Sequence, residues 1–216
     1  IFSNLSRVIM GLTDMAMVSR LGAVALAATG MGSLLLWVIM SMGIGLRTAV
    51  QTVAARRLGQ KLFPKCGHAL HDGVILSIIL AIPATLLGTY YSVEIAELFL
   101  QDPDVIPQCA NYMHVGFYGI GFVLIGFVFQ GFYTGVEQTK IHMKVTIVSN
   151  LINVYLNAGL IYGTDGVTAF FEKIGIPWMA VLWQWYDFPA MAVKGAALAT
   201  VIASVWMVVQ YSFHIL

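Results

Sequence analysis

Charge is what this sequence has least of. Only 10% of its 216 residues are Asp, Glu, Lys or Arg, against about a quarter in soluble domains, and that shortage excludes an ordinary water-soluble fold. The 11 basic and 10 acidic residues nearly cancel to a net charge of +1, so bulk charge points to no nucleic-acid partner. Cysteine is scarce too. Cys66 and Cys109 precede the third and fourth apolar runs, on opposite membrane faces in the topology below, which excludes a disulfide between them. No Walker loop, GxGxxG, GxSxG or HExxH occurs. The first apolar run starts at Ile1 without a charged n-region, so no signal peptide is expected. The last residues, SVWMVVQYSFHIL, are still apolar, and we expect the chain to be a piece of a longer protein.

Long apolar runs are what it has instead. Hydrophobic residues make up 59% of the chain and the mean hydropathy is +0.85. Runs of about 20 apolar residues mark transmembrane helices, and six are expected: Ile1 to Ser19, Ala23 to about Gly45, Gly73 to Leu98 with a kink at Pro83, Cys109 to Thr134, Ile141 to Tyr162, and Met191 to Tyr211. The second continues as an amphipathic extension, LRTAVQTVAARRLG. The expected fold is therefore all-α: a polytopic membrane protein whose residues 1–216 form a single six-helix transmembrane bundle.

Lys and Arg counted by loop orient it. Arg56, Arg57, Lys61 and Lys65 follow the second span, and Lys140 and Lys144 follow the fourth. The other side holds Arg20, Lys173 and Lys194 and an acidic connection with Glu94, Glu97, Asp102 and Asp104. The basic loops and both termini are assigned to the cytoplasm, with the cell inner membrane as the setting. Residues 163–194 form a long outer connection. Pro177, Asp187 and Pro189 interrupt it, and Trp178, Trp183 and Trp185 suit a segment lying at the outer interface.

One carboxylate lies inside a span. Asp14 sits in RVIMGLTDMAMVSRLG, where an ionised acid costs several kcal/mol unless it faces a cavity, finds a partner or holds a proton. It is six residues before Arg20, hence about 9 Å below the outer end at 1.5 Å per residue. Asn157 stands at a similar depth in the fifth span, with Asn153 and Asn150 successively deeper. Thr200 is again about 9 Å in from Lys194, and Tyr112 and His114 fall in the outer third of the fourth span. Four spans thus bring polar groups to one layer, and a polar pocket centred on Asp14 is expected, its chemistry proton or cation binding. For Asn153, Asn157 and Thr200 the competing reading is hydrogen bonding between packed helices.

Other polar residues read more plainly. Arg7 is seven residues from Asp14, about 10 Å along the axis, and is expected to snorkel to the cytoplasmic surface. Arg47 and Gln51, one turn apart, either line an inner opening or cap the interface. The glycines of the fourth span, Gly116 to Gly135, suit close helix packing. His68, His71 and Asp72 in HALHD share a helical face and could begin a metal site in a membrane-embedded metalloenzyme; capping of the helix start is the plainer account.

These residues together resemble the multidrug and toxic compound extrusion family of secondary transporters. The resemblance runs through GLTDMAMVSRLGAVALAATGMG, VAARRLGQ, ANYMHV, GVEQTK, NLINVYLNAGLIYG and GAALAT, in order along almost the whole chain. It implies one lobe of a twelve-helix transporter built from two related six-helix bundles, the C-terminal lobe being missing here. It implies antiport of small cationic or amphipathic substrates against H+ or Na+, with no cofactor and no enzymatic activity. Asp14 is implied to bind the coupling ion, with Asn153, Asn157, Tyr112 and Thr200 around it. Some members carry an acid where Asn157 stands, and the outer connection here is unusually long. A lipid-linked precursor flippase of related architecture and a non-transporting structural half are the alternatives.

Overall fold

The computed structural model describes residues 2–185 and 188–215, without the side chains of residues 1–10, Ile174 and Leu182. The expected snorkelling of Arg7 and the part of Asp187 in the outer connection therefore lie outside the described residues. Among those described, all regular structure is helical. In hydrocarbon a backbone must satisfy its own N–H and C=O groups, which a helix does within one segment.

Helix α1 (Phe2–Ser19) turns tightly into α2 (Ala23–Met40). Leu21 and Gly22 donate their amides to the carbonyls of Val18 and Ser19, and Gly22 takes φ 110, which a side chain would resist. Only Ser41 separates α2 from α3 (Met42–Gly59). Together they form an apolar stretch of 37 residues, about 55 Å long. That exceeds the roughly 30 Å hydrocarbon core, so the Arg56–Arg57 end projects beyond it.

The third span differs from the expected Gly73 to Leu98. It divides into α4 (Phe63–Tyr90) and a separate α5 (Ser92–Phe99). Pro64 in the first turn favours the early start, and Cys66, Ala69 and Leu70 are buried there. The break falls at Tyr91, where hydroxyls draw on the local carbonyls: Thr89 donates to Thr85 at 2.7 Å and Ser92 to Thr89 at 3.3 Å. Helix α4 runs through Pro83.

Helix α6 (Val105–Gly135) is the centre of the bundle and packs against α2, α3, α4, α5 and α9 (Ala192–Phe213). Its Met113, Phe117, Ile120, Leu124 and Val128 are buried. A Cβ on Gly131 or Gly135 would run into the α3 backbone at Arg47 and Gln51. These glycines set how near the two helices come, and Arg47 and Gln51 meet α6 through their main chains. Helix α7 (Thr139–Ile174) packs between α1 and α9. Among the described residues five helical stretches, α2 with α3, α4, α6, α7 and α9, are long and apolar enough to cross a membrane. With α1 they make an integral membrane bundle.

The outer connection is more ordered than a surface-lying loop. Gly163 breaks α7 with φ 71 and ψ −177, and the helix then resumes to Ile174. A 3-10 turn at Pro177–Ala180 and the short α8 (Val181–Gln184) follow. Trp178 and Trp185 are 70% and 89% exposed, as an interfacial segment wants, but Trp183 is 6% exposed. Its indole lies where a Cβ on Gly159 would be, packed against Tyr155 and Phe188 at ring separations of 5.8 and 5.4 Å. The missing side chain at Gly159 is the reason it turns inward.

Cys66 and Cys109 are both free and buried. His68, His71 and Asp72 lie exposed near the start of α4, with His71 Nδ1 3.7 Å from Asp72 Oδ1. Among the described residues no three His, Cys, Asp or Glu side chains are grouped to hold a metal.

Candidate functional site

Asp14 is half-buried on α1, and its helix leans on α7. Tyr162 fixes the two together by donating its hydroxyl to the Met17 carbonyl at 2.5 Å. One turn inward from Tyr162, Asn157 donates its amide to Asp14 Oδ1 at 2.5 Å and to Asn153 Oδ1 at 3.0 Å. Asn153 donates in turn to Thr200 Oγ1 on α9 at 3.3 Å, and Thr200 donates to the Ala196 carbonyl at 3.1 Å. A chain of hydrogen bonds therefore joins α1, α7 and α9. Asn153 and Asn157 are wholly buried, and Asn157 Oδ1 has no partner among the described residues.

Beside this chain is a cavity of about 260 Å³, lined by Asp14, Ser33, Trp37, Tyr112, Thr200 and Ser204 among others. Tyr112 reaches it because Gly32 opposite leaves room for the phenol ring. An acid, a phenol, hydroxyls and an indole face are groups that bind a proton or cation and hold aromatic cationic molecules.

Asp14, Asn153, Asn157, Tyr112 and Thr200 are thus brought together. His114 is not. Its Nδ1 lies 3.2 Å from the Thr89 carbonyl and its ring packs edge-on against Tyr118, toward α4. Two residues on from Tyr112, it points about 200° further round the helix. Asn150 lines a neighbouring cavity of about 250 Å³ rather than the one that holds Asp14.

That second cavity contains residues that sequence reasoning missed. His142, one turn into α7, is 6% exposed. Its Nε2 lies 2.9 Å from Gln130 Nε2 and its Nδ1 2.6 Å from the Tyr211 hydroxyl and 3.3 Å from Thr146 Oγ1. Tyr211 stacks on His142, and Tyr133 donates its hydroxyl to the Tyr211 carbonyl at 2.9 Å. The available signal was spacing. Positions 142, 146, 149, 153 and 157 are all polar and recur every three or four residues, with Asn150 beside Ser149, which is one helical face.

Known proteins share this arrangement of helices. A solved structure of an outward-facing multidrug resistance MATE family transporter of the MOP superfamily superposes with a TM-score of 0.80 at 20% identity, covering 99% of this chain and 42% of that one. A MOP superfamily transporter from Pyrococcus furiosus gives the same TM-score, identity and coverage. In sequence, the chain is 25% identical over 206 residues to the multidrug resistance protein NorM of Burkholderia vietnamiensis, covering 95% of this chain and 40% of the relative. It is 24% identical over 159 residues to NorM of Vibrio cholerae, covering 73% and 34%. A FAD transporter of Shewanella oneidensis is 25% identical over 197 residues, covering 91% and 38%. The chain thus spans about two-fifths or less of the length of these relatives. Residues 1–158 match the model of the MatE family, and the chain belongs to that family.

Proposed function

We propose that the whole protein is a secondary efflux transporter that exports small cationic or amphipathic compounds in exchange for H+ or Na+. This chain supplies one six-helix lobe, and a second lobe completes the translocation path. Asp14 is the coupling group. The observation that carries this reading is the hydrogen-bonded line from Asp14 through Asn157 and Asn153 to Thr200, set beside a cavity inside the bundle. Asn157 Oδ1, buried without a partner among the described residues, is an acceptor suited to a cation or to the hydrogen of a protonated carboxyl. The ion binds one arrangement of α1, α7 and α9 better than the other and shifts the outward–inward population by that difference.

The NorM names of two relatives support multidrug substrates, and the name of a third suggests an anionic dinucleotide. Among the described residues neither cavity beside the Asp14 line has a Lys or Arg in its lining, which favours cations over that anion and over the lipid-phosphate cargo of a flippase. Transport by the protein with both lobes in proteoliposomes, under an imposed pH or Na+ gradient, tests the reading. Asp14→Asn is expected to abolish gradient-driven export while the protein stays folded, and unchanged ion-dependent export would defeat it.

A further inference from the structure

A groove between α1 and α7 takes no part in the Asp14 site. Leu12, Ala16 and Arg20 stand four residues apart, so they form one stripe about 12 Å long down α1. Arg20 comes six residues after Asp14, which turns it about a third of a revolution round the helix from that carboxylate. Val154 and Tyr162 of α7 line the groove with this stripe, and Phe170 joins them from the part of α7 beyond Gly163. Its volume is about 390 Å³, within the roughly 300–1,000 Å³ of sites that hold small molecules. Tyr162 has already given its hydroxyl hydrogen to the Met17 carbonyl, so the ring is what it offers the groove. Among the described residues, Arg20 alone brings a charge to the lining.

The groove opens through an apolar surface. Leu12 is 63% exposed, and Leu151, about one turn from Val154 on α7, is 65% exposed. Arg20 is exposed just past the last residue of α1, at the end of a span, where lipid head groups begin. Among the described residues it makes no ion pair. A guanidinium is a planar fork that matches two phosphate oxygens, and basic pockets between transmembrane helices hold anionic head groups. With an apolar channel running inward from it, Arg20 complements a phosphate that carries an acyl chain. A zwitterionic lipid brings a cation of its own to the same place, which an unpaired guanidinium repels.

We propose that the α1–α7 groove binds an anionic phospholipid, with the phosphate on Arg20 and one acyl chain laid along Ala16 and Leu12. Binding is noncovalent, and the site is independent of the coupling role given to Asp14.

The test is native mass spectrometry of the detergent-purified protein with both lobes, titrated with phosphatidylglycerol or with phosphatidylcholine of the same chains. Phosphatidylglycerol is expected to bind the more tightly. Arg20→Gln should weaken it by roughly tenfold or more, the scale of a hydrogen bond to a charged group, and erase the preference between the two lipids. Ala16→Phe keeps the guanidinium but fills the groove, and should weaken both lipids. Lys194→Gln, which removes another exposed cation at the same end of the bundle, should leave binding unchanged. Glycerol 3-phosphate in excess, a phosphate without chains, should not displace the lipid. Equal affinities for the two lipids in the parent protein, or phosphatidylglycerol binding untouched by Arg20→Gln or by Ala16→Phe, would overturn the proposal. Displacement by glycerol 3-phosphate would overturn it in favour of a site for soluble phosphates, and no bound lipid at all would overturn it in favour of a groove covered by the second lobe.

Discussion

Trp183 makes a sharp test of the outer end of the bundle, because its two neighbours in the same segment act as controls. Replacing Trp183 by Ala removes an indole that is 6% exposed and packed over Gly159, with Tyr155 and Phe188 at 5.8 and 5.4 Å. A buried Trp→Ala change costs about 3–5 kcal/mol, because the cavity collapses only in part. Each aromatic pair lost adds about 0.5–1.5 kcal/mol beyond the buried area. For a chain of this size a loss on that scale lowers the apparent Tm by something on the order of 10 °C. Trp178 and Trp185 are 70% and 89% exposed, and their Ala variants should stay within about 0.5 kcal/mol of the parent. The assay is thermal unfolding of all four purified proteins in one detergent. Equal midpoints for the three variants, or a Trp183→Ala shift no larger than that of Trp185→Ala, would refute the inward placement of the indole.

Further outcomes follow from the packing and the hydrogen bonds. Gly131→Ala is expected to destabilise by about 1–3 kcal/mol through overpacking against the α3 backbone at Arg47. Gly121→Ala, where a Cβ would sit at an ordinary 3.4 Å from Ala81, should be neutral or gain up to about 1 kcal/mol of helix propensity; denaturation of the pair side by side checks the contrast. Asn153→Ala removes the link to Thr200 on α9 and the link to Asn157 within α7 and should lower stability by about 1–2 kcal/mol, the range for polar bonds in membrane helices. Gradient-driven export should fall with it in proteoliposomes. Wild-type coupling in that variant would show that the line from Asp14 to Thr200 is packing only.

Much of the architecture was legible because membrane helices have so few ways to form. A fixed rise per residue was enough to put Asp14, Asn157 and Thr200 at one depth, and the structure joins them through Asn153. What the residue order concealed was direction around the helix axis. His114 shares a depth with Tyr112 yet faces α4. Trp183 resembles Trp178 and Trp185 in sequence, and only the absence of a side chain at Gly159 draws it inward. The break at Tyr91 was hidden because its causes are hydroxyls bonding nearby carbonyls inside a run that is apolar on average. His142, Thr146 and Ser149 were overlooked because they lie near a basic loop, where polar residues need no explanation. The spacing that carries them to Asn157 emerges once α7 is taken as a single face.

The central claim is that Asp14 and Asn157 share one hydrogen bond and act as one coupling unit. Exchanging them, as Asp14→Asn with Asn157→Asp, moves the carboxylate across that bond and keeps it in the same polar group. Gradient-driven export in proteoliposomes should be abolished by Asp14→Asn and substantially restored by the exchange. An exchanged protein that folds and binds substrate but is as uncoupled as Asp14→Asn would contradict the account.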